Sequence, residues 1–490
     1  MLRASAILAL LWIFPALAPA QQPAPTSDRS LRAYTLKIQD RQAYGVYLAN
    51  QKVGWMIEET RLGTHNGREV AIDSEESYIA LKLSREKSIK TSKSITCFSL
   101  EGDGPIVFAE EREVEDGYLT VRRAVPEGRG MLLTSHTKSG EKQRHVPVPK
   151  ETLALSRRLD EWLSATPAKG ARFESYTTSW DEADINTKET VTFQEKKKIL
   201  WGGVPLVVCL VQMEVQGARM NAELKANGTP LRNTLGGLLE MRAEEEVVAK
   251  KLGDKPVDML KASEVPVDRE LGDPRNVRSL ALEVSDAGEF TFPTCPRQKA
   301  RRQEDKIVLD LLPDFRVEQA EALPAQQRAD CLAATPSIQC DEERVRRLAR
   351  KIVGAEKDPV RAAKLLEKWV HDNLRKTMAV NGSTALQILD NLAGDCTEHT
   401  LLFVSLARAA GIPAREVGGL AYPDIGRPVF GWHAWAEIHD GRQWVSVDPT
   451  WGEFYVDATH IKFQEGSDDF AWMNVAGKIK LRVLRLTSDN

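Results

Sequence analysis

Beyond its first twenty residues the chain has no apolar run approaching about 18 residues, so nothing there reads as a membrane-spanning helix. It also lacks a charge excess: 67 basic and 70 acidic residues give a formal net charge of -3, which points away from a nucleic-acid partner. Basic runs such as Lys196-Lys197-Lys198 and residues 344–351 alternate with Glu or apolar positions and read as solvated faces. Cysteine is scarce. Six in 490 residues make no disulfide scaffold, and no close pair of cysteines marks a zinc site. Length excludes a single core, since compact cores stop growing at roughly 250–300 residues.

What is present begins with Met1-Leu2-Arg3, an apolar stretch from Ala4 to Leu17, and Ala18-Pro19-Ala20 before Gln21. This is the pattern of a secretory signal over 1–20, which places the remainder in a periplasmic or extracellular space. No cysteine follows the cleavage site to carry a lipid. In an oxidising compartment Cys331 and Cys340 are placed to bridge a loop, with Cys295 an alternative partner for either; Cys97 and Cys209 lie in apolar runs and read as core.

From 21 to 330 the pattern is mostly strands, with turns at Asn50-Gln51, Asp116-Gly117 and Asn227-Gly228 and one helix-like stretch from Lys150 to Leu163. We divide it into a β-rich lobe at 21–165 and, at 166–330, a second lobe or a continuation of the same sheet. The stretch from Pro324 to Pro336 reads as a linker. A region at 331–465 follows, opening with three helices: Asp341 caps one to Ile352, Asp358-Pro359 opens the next, and Ser383 caps one to Leu392. Antiparallel strands come after them, and 466–490 adds a strand-like extension. The fold class is α+β.

The chemistry sits in this last region. GDCTEHTLLFVSLARAAGIPAR places Cys396 in the first turn of a helix, with Asp395 as cap and Glu398 completing a capping box. First-turn N–H groups, the helix dipole and a neighbouring imidazolium favour a thiolate there; Asp395 opposes it, and the donors are expected to win. Downstream, Asp440-Gly441 is a two-residue hairpin signal. Counting back from it pairs Glu437 with Trp444, Trp435 with Ser446 and His433 with Asp448, so imidazole and carboxylate share one face within hydrogen-bond reach. A slip of one residue would separate them.

The segments GDCTEHTLLFVSLARAAGIPAREVGGLAY, GWHAWAEI, WVSVDPTWGE and ATHIKF, in this order, resemble the transglutaminase-like superfamily of papain-like cysteine enzymes in its exported bacterial branch. The resemblance covers about the last third of the chain. It implies Cys396 as nucleophile, His433 as general base and acid, Asp448 as the residue that orients the imidazole, and no cofactor or metal. The implied reaction is attack on an amide carbonyl, a Cys thioester, and release to water or to an amine. Hydrolysis is the default, with peptides, proteins or cell-wall peptide stems as the substrate class. The backbone N–H of Cys396 is one oxyanion donor; Trp369, Asn373 and Gln387 are candidates for the second.

Four tryptophans, 432, 435, 444 and 451, crowd into twenty residues near His433. Trp435, on the His433 face, and the flanking Tyr422 are the candidate substrate-binding rings; Trp432 is expected in the core. The loop from Ala421 to Gly431 reads as a lid or as a plain connection. Two other readings stand beside the enzyme. Cys396, His399, His433 and His439 are all zinc-ligand types, though His399 projects a turn beyond Cys396. The β-rich lobes are also consistent with a binding or assembly protein whose C-terminal domain is inactive or cross-links proteins.

Overall fold

The structure, a computed structural model, describes residues 30–489 apart from 84–85, 116, 138–139, 181–184, 226–227, 254–255, 315–322, 378–383, 424 and 467–469. The expected signal at 1–20 lies outside the described residues, as do Asp116, Asn227 and Ser383. Among those described, no helix is long and apolar enough to cross a membrane. The architecture is α+β, and the chain divides into two compact units between Met259 and Leu260.

The first unit is built on one fifteen-stranded sheet. Eight antiparallel strands run as a meander from Asp40–Leu48 to Gly140–Pro147; six more run from Arg172–Thr178 to Leu239–Glu244, and the two series join where Asp40–Leu48 pairs with Leu239–Glu244. The strands on either side of residue 165 therefore continue a single sheet. Period-two burial sets its faces, as in Ala218–Lys225, where buried and open positions alternate. The helix Leu153–Ser164 is capped by Thr152 and buries Leu155, Leu159 and Leu163, which lie one turn apart. The first tight turn is at Ala49 and Asn50, both with positive φ, one residue earlier than the sequence suggests.

Among the described residues the second unit has a six-stranded and a four-stranded sheet, and a two-stranded one that pairs Arg375–Lys376 with Ala393–Gly394. Six strands form the largest, with Val429–His439 between Ala414–Ala421 and Trp444–Asp448. Against it lie the helices Glu343–Val353, Pro359–Asn373, Ala385–Asn391 and Cys396–Ala409. The last is enclosed on all sides, with Leu401 to Val404, Leu406 and Ala407 fully buried. Each of the buried Leu, Phe and Val side chains contributes about 1.5–3 kcal/mol. Thr384, not Ser383, caps Ala385–Asn391.

The four-stranded sheet corrects the boundary placed near 330. Val277–Ser285, Gln298–Gln303 and Lys306–Leu311 pair with the C-terminal strand Lys480–Ser488, not with the large β-rich sheet. The supposed linker is regular structure tied to the domain: Ala325–Asp330 is a helix that buries none of its residues, Cys331 O accepts from Ala414 N, and the Arg408 guanidinium donates to Ala333 O. Its prolines start a helix and a turn and do not extend the chain. All six cysteines are thiols, so the expected Cys331–Cys340 bridge is absent; the Cys340 S–H points to Leu332 O at 3.6 Å.

Candidate active site

Cys396 opens its helix through a cap assembled from its neighbours. The Asp395 carboxylate accepts from Thr397 N at 2.7 Å, and the Glu398 carboxylate folds back to accept from Asp395 N at 2.8 Å. Gly394 makes room for that return, because a Cβ there would lie 2.3 Å from Glu398 Cβ. The cap fixes the Cys396 thiol at the helix start. The backbone N–H of Ala434 is directed at its sulfur, so the helix start and the His433 strand meet there.

His433 Nε2 and Asp448 Oδ2 are 2.8 Å apart and buried. Their strands pair in a register shifted by two residues from the sequence reading: Glu437 faces Ser446 and His439 faces Trp444. The cause is Asp440. Its carboxylate accepts from Arg442 N and Gln443 N, and its own N–H donates to Gln443 O. The central turn residues become Gly441 and Arg442, with Gly441 at φ +101°. A two-residue shift keeps every side chain on its face, so His433 and Asp448 meet as diagonal neighbours.

Asp448 is held by more than His433. Its Oδ1 accepts from Thr450 N at 2.8 Å and Trp451 N at 3.1 Å, and its Oδ2 lies 3.5 Å from His460 Nε2. Burial would raise this carboxyl, but the two imidazoles outweigh it and hold it well below the usual carboxylate range. Because Asp448 accepts from His433 Nε2, the proton sits on that nitrogen and Nδ1 is left with its lone pair. Burial lowers the His433 pKa below 6.5, with Asp448 opposing, so the ring is neutral at neutral pH.

Cys396 does not follow the expectation of a low pKa. It is 3 % exposed, and burial, reinforced by Asp395, pushes the thiol up to about 11 against the Ala434 N–H. The resting pair is a neutral thiol and a neutral imidazole.

The aromatic rings are also placed differently from expectation. Trp435 has 0 % exposure and packs with Val417 and Val456; it is core and walls no open cleft. Tyr422 is buried too, its hydroxyl accepting from Leu271 N at 3.3 Å. Strand alternation gave Trp435 the correct face but could not give its depth. The ring that covers His433 is Trp451, half-buried and stacked on the imidazole with centroids 4.4 Å apart at 19°. Trp432 is buried against Trp472 and Phe463. The 421–431 connection is tied down at its far end, where Val265–Pro266 pairs with Phe430 and Val429 and Arg427 pairs with Glu264 at 2.5 Å. Of the oxyanion candidates, the Asn373 amide is turned back onto Trp369 O at 2.8 Å.

His460, inside the segment ATHIKF, has no local signal of a role, yet it is central. Its Nδ1 lies 3.3 Å from Asp457 Oδ1, and its ring bridges Asp457 and Asp448. Burial works to lower its pKa; Asp457, then Asp448, overcome this and raise it to about 10, so His460 is an imidazolium at neutral pH. Support also comes from far upstream. The Arg297 guanidinium donates to Asp457 O and His460 O, and Arg275 donates to Glu453 and to Trp451 O. Buried Lys462 joins Glu437 and Glu465, and Arg415 joins the same two carboxylates, pinning three strands behind the site.

Among the described residues, the ligand types that converge are His433–Asp448–His460 and Glu453–Asp457–His460. The four residues of the zinc reading do not: His399 is engaged with its own helix, Nδ1 lying 2.7 Å from Asp395 O. In the first group His433 Nε2 and His460 Nε2 lie 2.8 and 3.5 Å from Asp448 Oδ2, and in the second His460 Nδ1 lies 3.3 Å from Asp457 Oδ1.

One backbone position controls the turn that carries Asp448 and Trp451. Gly452 has φ +71°, and a Cβ there would lie 3.0 Å from the His371 ring. Gly452→Ala is expected to lower stability by about 1–3 kcal/mol through left-handed strain and this contact. Urea denaturation checks it, and the substitution should also loosen the Trp451 stack.

Residues 346–449 match the model of the Transglutaminase-like superfamily. A transglutaminase-like domain occupies that segment, and it holds Cys396, His433 and Asp448. A Haemophilus influenzae protein described as uncharacterized is 40 % identical over 94 residues, which are 18 % of this chain and 25 % of that protein. The chain thus spans a quarter of that relative's length. Two solved structures are similar at low identity. One, described as a proposed cysteine protease of Cytophaga hutchinsonii, is 18 % identical with TM-score 0.29, covering 44 % of this chain and 84 % of its own. The other, a proposed protease of Parabacteroides distasonis, is 11 % identical with TM-score 0.18, covering 71 % and 69 %. Neither likeness is strong enough to bear on the fold.

Proposed function

We propose that this protein is an exported cysteine-dependent enzyme of amide bonds, with Cys396 as nucleophile, His433 as general base and acid, and Asp448 as the residue that orients the imidazole. The observation that carries the proposal is the His433 Nε2 to Asp448 Oδ2 bond of 2.8 Å, which leaves Nδ1 as a proton acceptor on the strand whose next N–H reaches the Cys396 sulfur. His433 takes the thiol proton as sulfur attacks the carbonyl. A thioester forms, and His433 returns the proton to the leaving amine. The first-turn N–H of Cys396 is the oxyanion donor on this scheme. Water is the default acceptor, making the reaction a peptidase- or amidase-type hydrolysis.

The neutral resting pair gives a test with two arms. Iodoacetamide reads thiolate, so labelling of Cys396 should be slow at neutral pH and climb toward pH 11. An acylating probe that mimics a substrate receives general-base help from His433 and should label Cys396 at neutral pH. Its rate should fall only as pH drops below 6.5, because the lowered pKa keeps the imidazole basic down to that point. His433→Ala should suppress the second reaction and spare the first. Acylation indifferent to His433→Ala, or absent across amide and thioester libraries, would favour a binding protein whose β-rich unit does the work.

A further inference from the structure

The large sheet of the first unit carries a feature that the proposed chemistry does not use. The hairpin between Asn186–Trp201 and Val204–Val215 turns at Gly202-Gly203, both with positive φ. It runs past its neighbours. On one side Arg172–Thr178 starts opposite Thr192, and the preceding chain reaches only to Lys196, whose ammonium donates to Thr166. On the other, Ala218–Lys225 ends opposite Val208. The pairs Lys198/Val207, Ile199/Leu206, Leu200/Pro205 and Trp201/Val204 thus form a two-stranded ribbon with no flanking strand among the described residues. At about 3.4 Å per residue the overhang is roughly 13 Å.

The composition of the ribbon is unusual for an edge. Leu200 is 74 % exposed, Val204 64 % and Val207 41 %, while Ile199, Trp201 and Leu206 are half-buried. Successive residues face opposite ways, so both faces are apolar. Exposed Lys197 and Lys198 sit at its base. Arg232 lies over the Trp201 ring at 5.5 Å. The sheet order puts the end of Leu239–Glu244 at the same rim, and there the helix Glu246–Ala249 exposes Val247 at 84 % beside exposed Lys250 and Lys251.

We propose that this ribbon is a membrane-docking element whose partner is the surface of an anionic phospholipid bilayer. A protein groove accepts one apolar face and leaves the other in water. A lipid interface accepts apolar groups from every side, to a depth of about 5–10 Å, which the overhang matches. Tryptophan is suited to the headgroup level, where its ring is buried and its N–H stays wet. Lys197 and Lys198, set back from the tip, meet anionic headgroups when the tip is inserted. The docking is peripheral and independent of the Cys396 chemistry.

The test is co-sedimentation of the full chain with vesicles of phosphatidylcholine alone or mixed with phosphatidylglycerol. The chain should bind the mixed vesicles, with a blue shift of tryptophan emission that Trp201→Phe abolishes. Leu200→Glu combined with Val204→Glu should lower the partition about tenfold or more, while Lys197→Glu with Lys198→Glu should remove the preference for anionic lipid. These side chains are exposed, so unchanged melting by circular dichroism establishes that the variants fold, and acyl-probe labelling of Cys396 should be unaltered. Wild-type chain that ignores mixed vesicles, or binding unaffected by the tip variant, overturns the proposal. So does a concentration-dependent dimer, seen by light scattering, that the tip variant dissolves, because the ribbon is then a contact between copies.

Discussion

Asp448→Asn is expected to reduce acylation of Cys396 by about four orders of magnitude while leaving the protein folded. The carboxylate accepts from His433 Nε2 on one oxygen and from Thr450 N and Trp451 N on the other. An asparagine carbonyl can keep the two backbone bonds. Its NH2 then faces His433, which must present Nε2 as an acceptor and carry its proton on Nδ1. That tautomer cannot take the Cys396 proton. Asp448→Ala makes a different prediction. Both variants remove the negative charge beside buried His460, but only alanine also leaves the Thr450 and Trp451 N–H groups without their acceptor, so a further stability loss of about 1–3 kcal/mol per N–H should accompany its loss of chemistry. Single-turnover acylation separates the two variants, with urea unfolding run alongside. Asp448→Asn retaining activity within about tenfold of wild type would remove the tautomer argument.

The parts of this arrangement legible in the sequence are those set by local periodicity. Gly394-Asp395 followed by Glu398 specifies a capped helix start, because the glycine must lack a Cβ for the glutamate to fold back. Parity along the two strands puts His433 and Asp448 on one face whether the turn is centred on Asp440-Gly441 or on Gly441-Arg442, and so survives a wrong register. The register itself was not legible, because it depends on which N–H groups the Asp440 side chain captures. Depth was not legible either. Alternation says that Trp435 shares the His433 face; only packing against Val417 and Val456 says that the ring is sealed off. Cys396 failed for the same reason, since a helix start predicts a stabilised thiolate and full burial reverses the sign. Arg275 and Arg297 were missed because they stand 178 and 160 residues before Glu453 and Asp457, the residues they bind, and nothing local marks them. The pairing of Val277–Ser285 with Lys480–Ser488, and of Val265–Pro266 with Phe430 and Val429, ties that segment to the region of the site.

His460 is the residue whose replacement should reach both stability and pH dependence. Its pKa stands near 10 in the folded chain against an ordinary 6.5, so the sign is fixed. The stabilisation is complete below pH 6.5, shrinks as pH rises above it, and is gone once pH has passed about 10. Asp448, depressed, behaves oppositely: its contribution holds above its ordinary value of 3.8 and disappears on acidification below it. His460→Leu removes the cation from between Asp457 and Asp448 and leaves buried carboxylates without it, at about 3–5 kcal/mol. The variant should therefore melt earlier at pH 6 and show none of the wild-type decline between pH 6.5 and 10. The same charge lowers the pKa of His433. Without it the His433 imidazole becomes more basic, and the acid limb of probe labelling should move to higher pH. A merely structural His460 would change the melting temperature and leave that limb where it is.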